Sequence, residues 1–233
     1  MKNVLAILQS RTNSSRLPGK ALLPIANMPS AVLAAKRAAN QGHDVVLATS
    51  DQASDEILAR TATGAGIKVF RGDRDNVRAR FLAAAKDLKD EHIIIRLTAD
   101  NMLPDGGLLT ETLKQFSESK LPYLNSEQIW HQPPHGLICE IFYLGALREA
   151  AAKADTPHNR EHVTTALREV PVAITPAKIF TPEESALRVT MDTYEDFQRM
   201  SQLFMDIANP ETISWRDLLK RLMAMPIYKK GER

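Results

Sequence analysis

The sequence predicts an α/β fold, a mostly parallel sheet covered on both faces by helices, in one domain of 233 residues with an elaborated C-terminal third. Two observations predict it. From Val4 to Leu97, short apolar runs rich in branched residues alternate with longer segments of helical patterning; strands separated by helices pair through right-handed crossovers into a parallel sheet. No internal repeat, low-complexity tract or flexible linker interrupts the chain, and its 44% hydrophobic content is enough for one substantial core.

The elements follow in order. Val4 to Leu8 reads as a buried strand feeding a polar loop that ends at Lys20. Pro29 suits the first turn of a helix running to Gln41, with Gly42 in its C-terminal cap. Asp44 to Ala48 is a strand, Asp55 to Thr63 a helix, Ile67 to Phe70 a strand, Asn76 to Leu88 a helix, and His92 to Leu97 a strand. Ligands of such sheets sit beyond the carboxyl ends of the strands, which singles out the loops after Leu8, Ala48, Phe70 and Leu97. The second half is less regular. Helices are expected near Leu108 to Phe116, Ala146 to Ala154, Asn159 to Glu169, Tyr194 to Ile207 and Trp215 to Met223. A loop holds Pro133-Pro134, an apolar run spans Leu137 to Leu144, and strands are expected at Val170 to Thr175 and Leu187 to Met191. Residues of about 120–160 form a candidate insertion or dimerisation arm.

Composition narrows the functions. The net charge is only +2, with 25% charged residues, so nothing argues for tracking a nucleic-acid backbone or an anionic membrane. Bound phosphate would be held locally. The apolar run after Met1-Lys2 is too short for a signal-peptide core or a membrane span, and a soluble cytoplasmic protein is expected. Cys139, the single cysteine, has no internal disulfide partner and reads as packed.

Arg11 to Lys20 carries three cations, two serines, a threonine, an asparagine and a glycine directly after a strand. A polyphosphate site needs that mixture: delocalised charge, a point charge, and backbone N–H groups that a glycine lets come close. Charge alone leaves a solvated basic loop equally open. The segment is not a P-loop, because Ser14 stands where that motif needs glycine and Ala21 replaces its Ser/Thr. Asp100 and Asp192 each follow a strand-like run, where a carboxylate could hold Mg²⁺ but is more often a turn residue or a helix cap. His158 to His162 fits the H-x-x-E-H zinc pattern, but Pro157 puts His158 at the helix start and no third ligand stands out. His131 and His135 flank Pro133-Pro134 and cannot form a helical pair. G-x-S-x-G and G-x-G-x-x-G are absent, so hydrolase and dehydrogenase readings lack support.

Ser15-Arg16-Leu17-Pro18-Gly19-Lys20 resembles the signature of the cytidylyltransferases that activate acidic sugars, most closely the relatives of spore-coat polysaccharide biosynthesis protein F. Further blocks resemble that family in order: Ala48 to Asp51, Val69 to Gly72, Arg96 to Asp100, Arg160 to Thr164 and Val189 to Thr193. The likeness covers roughly residues 3–205. It implies a Rossmann-like, GT-A-like nucleotidyltransferase fold in three layers, usually a homodimer, that transfers CMP from CTP to a small acceptor and releases pyrophosphate. By the same resemblance Arg11, Lys20 and Asp100 would be catalytic. The nucleotide would be met by Leu8, Gln9, Ser10, Arg11, Gly19, Lys20, Ser50, Asp51, Arg71 and Thr98. Asp100 and Asp192 would hold Mg²⁺, and Glu140, Arg160, Glu161 and His162 would serve the acceptor. The implied acceptor is a sugar acid, a sugar or alditol phosphate, or a phosphonate of a surface-glycan pathway. A related glycosyltransferase, another base, or a non-catalytic nucleotide-binding homologue are the alternatives. The family pattern has glycine at Ala99 and aspartate at Ile138, which points to an unusual acceptor or reduced activity.

Overall fold

The computed structural model describes residues 3–168 and 175–225. Its elements run β1 (Val4–Gln9), a hairpin of β2 (Pro24–Ile25) and β3 (Met28–Pro29), α1 (Ser30–Ala39), β4 (Val45–Ser50), α2 (Glu56–Gly64), β5 (Lys68–Gly72), α3 (Val77–Ala84) and β6 (Ile93–Thr98). There follow α4 (Gly106–Ser119), β7 (Tyr123–Asn125), α5 (Ser126–Ile129), β8 (Glu140–Tyr143), α6 (Leu144–Lys153), α7 (Pro157–His162), α8 (Pro182–Ser185), α9 (Tyr194–Phe204) and α10 (Trp215–Ala224).

Successive strand side chains point to opposite faces, and here both faces are apolar. Ala6 and Leu8 of β1, Leu47 of β4, and Ile95 and Leu97 of β6 enter one core; Ile7, Ala48 and Ile94 enter the other. Burial on both sides is what a central strand between two helical layers requires. β1 pairs in parallel with β4 and β6, and β4 with β5. At the far edge β8 runs antiparallel to both β6 and β7, giving the order β5-β4-β1-β6-β8-β7. The chain moves outward from β1 to β4 and β5, then returns to β6 on the other side of β1. That reversal opens a crevice at the carboxyl ends of β1 and β6.

Several elements depart from expectation. Leu187 to Met191 is extended, with Leu187, Val189 and Met191 buried, yet it forms isolated bridges from Arg188 to His135 and from Thr190 to Asn101 and no ladder. Its alternating pattern comes from burial on one side, without a strand partner. The helix expected from Asn159 to Glu169 stops at His162, because Val163 turns to φ 61° to bury its side chain in the second core. A short 3₁₀ turn, Thr165–Leu167, follows. The β2–β3 hairpin turns on Ala26 (φ 49°) and Asn27 (φ 65°), the mirror-image geometry that two-residue hairpins favour. Alanine at the first of those positions gives no sequence signal. The strand expected from Val170 to Thr175 lies, but for Thr175, outside the described residues. Among the described residues no helix is long and apolar enough to cross a membrane.

Candidate nucleotide site

The loop after β1 is shaped by its own backbone and by one distant carboxylate. Gly19 adopts φ +72°, where a side chain would be strained, and its N–H donates to Thr12 O at 2.8 Å. The turn carries Lys20 into a short 3₁₀ segment, Lys20–Leu22, and Ser30 Oγ donates to Lys20 O at 2.7 Å. Asp55 Oδ1 accepts from Thr12 N at 2.8 Å and from Thr12 Oγ1 at 2.6 Å. Its other oxygen accepts from the Ser50 hydroxyl at the end of β4. Burial pushes the Asp55 carboxyl up, but the hydrogen bonds from Ser50 and Thr12 outweigh it and hold it below its ordinary value.

Between this loop and the end of β6 lies a cavity of about 440 Å³. Among the described residues, five cationic side chains line it, Arg11, Arg16, Lys20, Arg80 and Arg96, against three carboxylates, Asp100, Glu161 and Asp192. The excess is positive, as a polyanion requires. Lys20 Nζ donates to Asp100 Oδ2 at 2.7 Å, Asp192 Oδ1 at 2.9 Å and Met191 O at 3.1 Å. Arg16 lies 3.0 Å from Asp192 Oδ1, and Arg188 donates to Asp192 Oδ2 at 2.6 Å. Burial raises the Asp192 carboxyl, yet Lys20 first, then Arg16 and Arg188, leave it below the usual range.

Gln9, Ser10, Arg11, Lys20, Thr98, Asp100, Asp192, Glu161 and His162 therefore converge on one cavity, although they come from both ends of the chain. Others stand elsewhere. Leu8 is core. Ser50 lines a neighbouring cleft of about 60 Å³ that shares Arg11 and Asn13 with the main cavity. Arg71 pairs with Glu56 and donates to the carbonyls of Ser50, Asp51 and Gln52, bracing that loop. Arg160 pairs with Asp155 and is not among the lining residues.

Glu140 is buried at 1% exposure and sits behind the cavity. It is paired with Arg96 and Arg168 and accepts from Tyr123 Oη at 2.7 Å and Thr164 Oγ1 at 2.8 Å. Burial pushes its carboxyl up, but Arg96 and Arg168 dominate and bring it down to about 2. Glu140 thus reaches the cavity through Arg96, whose Nε also donates to Gln9 Oε1 at 3.2 Å.

Arg80 was not singled out by the sequence, and Arg96 stood only as the first residue of a family-like block, without a role. Arg96 stands in a strand run with its partner Glu140 far along the chain. Arg80 sits on α3 at 1% exposure, donates to Asp73 O at 2.8 Å, and keeps Nε unpaired among the described residues. Burial, then the nearby Arg11, lowers its guanidinium to about 10. An arginine inside a helical segment gives no cue to this. Ala99 lines the cavity floor at 5% exposure without a left-handed φ, so its backbone does not demand glycine. Ile138 is half-buried and not among the lining residues.

Asp100 and Asp192 share one cation, the Lys20 ammonium, and Asp192 is paired with Arg16 and Arg188 besides. Among the described residues no group of three or more His, Cys, Asp or Glu is arranged around a metal position. Two carboxylates nevertheless fit Mg²⁺, which usually keeps several waters and takes its remaining oxygens from substrate phosphates. The rings of His158 and His162 lie 4.5 Å apart on α7.

The comparisons agree with this architecture. The structure of a cytidylyltransferase from Leptospira borgpetersenii serovar Hardjo-bovis superposes with a TM-score of 0.84 at 26% identity, covering 99% of this chain and 98% of the other. CMP:2-keto-3-deoxy-manno-octonic acid synthetase in complex with CTP shares the fold, with a TM-score of 0.63 at 16% identity over 86% of this chain and 97% of its own. Spore coat polysaccharide biosynthesis protein SpsF of Bacillus subtilis is 29% identical over 97% of this chain and 96% of its own length. The 3-deoxy-manno-octulosonate cytidylyltransferase of Synechococcus elongatus is 31% identical over 54% of this chain and 52% of its own. The cytidylyltransferase family profile matches residues 5–232, and the chain belongs to that family.

Proposed function

We propose that this chain transfers CMP from CTP to an anionic acceptor, with Mg²⁺ held by Asp100 and Asp192. The acceptor is a sugar acid, a sugar or alditol phosphate, or a phosphonate used in surface-polysaccharide synthesis. The observation that carries the reading is the cavity itself: Arg11, Arg16, Lys20, Arg80 and Arg96 surround a space beside two carboxylates at the sheet's switch point. The names of SpsF and of the CTP-bound synthetase support cytosine and a glycan acceptor. An acceptor oxygen attacks the α-phosphorus and forms the new P–O bond. The bond from that phosphorus to the oxygen bridging to the β-phosphate breaks, and pyrophosphate leaves with the electron pair. Arg11, Arg16 and Lys20 would neutralise charge on the triphosphate as it shifts to the leaving group. Mg²⁺, when bound, supplies a Lewis acid at the phosphoryl oxygens. A phosphate or phosphonate acceptor has no proton to lose. A hydroxyl acceptor does, and we assign that proton to Glu161 or His162, which line the cavity and are exposed. We also propose that the chain assembles as a homodimer, which a monomeric mass by light scattering would refute.

The test is pyrophosphate release from each of CTP, UTP, ATP and GTP with Mg²⁺ and a panel of these acceptors. CTP is expected to be preferred, and chelation to stop the reaction. Lys20→Ala and Asp100→Asn should each lower turnover by about 10²-fold or more. Turnover insensitive to chelator would remove the metal, and full activity in either variant would remove the site. Consumption of a nucleotide sugar in place of CTP would make the chain a glycosyltransferase.

A further inference from the structure

We propose that Lys20 is the internal counter-ion of the Asp100–Asp192 pair, and that triphosphate and divalent cation bind synergistically because together they relocate it. The inference rests on the CTP and Mg²⁺ reading above. An ammonium has three N–H donors. All three are engaged: Asp100 Oδ2 at 2.7 Å, Asp192 Oδ1 at 2.9 Å and Met191 O at 3.1 Å. None remains for a phosphate oxygen, so the position Nζ holds and a role on the triphosphate are alternatives.

The consequences for each ligand alone are unfavourable. A divalent ion between Asp100 and Asp192 would meet Nζ at contact distance in a partly buried site, where like charges repel. Driving Lys20 out would place its charge among Arg11, Arg16, Arg80 and Arg96. A triphosphate alone would draw Lys20 away and leave Asp100 without its cation against a polyanion, while Asp192 kept Arg16 and Arg188. With both present, Lys20 turns to phosphate while the ion takes its place. The backbone need not move, since Lys20 N and O stay tied to Leu17 O and Ser30 Oγ; the flexible four-carbon stem alone makes the change. Each ligand then strengthens the other by the same factor.

Calorimetry on the folded protein tests this with two probes, Mn²⁺ alone and CTP in excess EDTA. Lys20→Met is expected to bind Mn²⁺ alone at least about fivefold more tightly than the wild type. Asp100→Asn is expected to bind metal-free CTP at least about threefold more tightly, and this gain should vanish in the Lys20→Met background. A gain of equal size in both backgrounds would mean general electrostatics and overturn the proposal, as would an unchanged Mn²⁺ affinity in Lys20→Met. Absence of Mn²⁺ binding by every protein would sink the metal reading, while the double-variant cycle on metal-free CTP would still decide the place of Lys20. Absence of CTP binding would sink the nucleotide reading, and the Mn²⁺ comparison would decide instead.

Discussion

Single side chains here act across long stretches of sequence, and Asp55 shows how. It precedes α2 and makes no side-chain cap to that helix; its oxygens go to Thr12 and Ser50, joining the loops after β1 and β4. Removing a buried acceptor leaves its donors unsatisfied, at about 1–3 kcal/mol. Asp55→Ala should therefore lower the melting temperature by roughly 2–12 °C, at 2–4 °C per kcal/mol for a domain of this size. On the proposed function it should also weaken CTP binding, because the Thr12 end of the loop after β1 loses its anchor. Unchanged CTP affinity, measured by titration on the folded variant, would reduce Asp55 to a purely structural residue. The sequence shows an Asp at a helix start and nothing more, since the Thr12 partner lies 43 positions away. By contrast, Arg11 and Lys20 were legible, because phosphate chemistry and a family signature both fall within one short segment. Glu140 was legible as a residue of the site region, but its action through Arg96 depends on strand register between β6 and β8, which local pattern does not encode.

At the scale of elements, helix α9 aims Asp192. Sequence alone left Asp192 as either a helix cap or a metal ligand. Thr193 takes the cap, in a reciprocal capping box with Asp196, and Asp192 is left to face the cavity. Asp196 Oδ2 also accepts from Asp192 N at 2.9 Å and from Thr193 N at 3.0 Å, so the first turn of the helix fixes the backbone behind the carboxylate. Thr193→Ala should cost about 1 kcal/mol as a lost cap and leave CTP and Mn²⁺ binding close to wild type. Asp196→Ala should cost about 1–3 kcal/mol and also weaken joint binding of CTP and Mn²⁺, as Asp192 loses its support. Equal binding defects in the two variants, read by calorimetry, would show that only helix stability matters. The parallel strands were legible because burial on both faces makes each a continuous apolar run between helical patterns. The two-residue hairpin and β7 were not, and for Leu187 to Met191 the extended state was legible but its isolated bridges in place of a ladder were not. Their state is set by partners elsewhere in the chain, such as Asn101 and His135 for the last.

Across the whole molecule, carboxylates held below their ordinary value are found on several elements, but the buried ones among them stand at the carboxyl end of the sheet: Asp55, Asp192 and Asp196, and Glu140, which falls to about 2. A carboxyl whose folded pKa lies below its unfolded one stabilises the fold above the unfolded value, and that contribution is lost as pH falls toward the folded value. For Glu140 the window runs from 4.5 down to about 2, corresponding to about 3 kcal/mol at 1.36 kcal/mol per unit. The three aspartates add losses that begin near 3.8. Acid unfolding should therefore start at the carboxyl end of the sheet, where Asp55 joins the loops after β1 and β4, Asp192 holds Lys20, and Glu140 ties Arg96 of β6 to the segment holding Thr164 and Arg168. Glu140→Gln leaves Arg96 and Arg168 without their anion and should cost about 3–5 kcal/mol at neutral pH. Because the variant has no charge left to lose at this position, its stability should fall less steeply between pH 4.5 and 2. Urea unfolding of both proteins at a series of pH values checks this. Converging curves are expected as pH drops, and parallel curves would show that the Glu140 network does not control the acid limb.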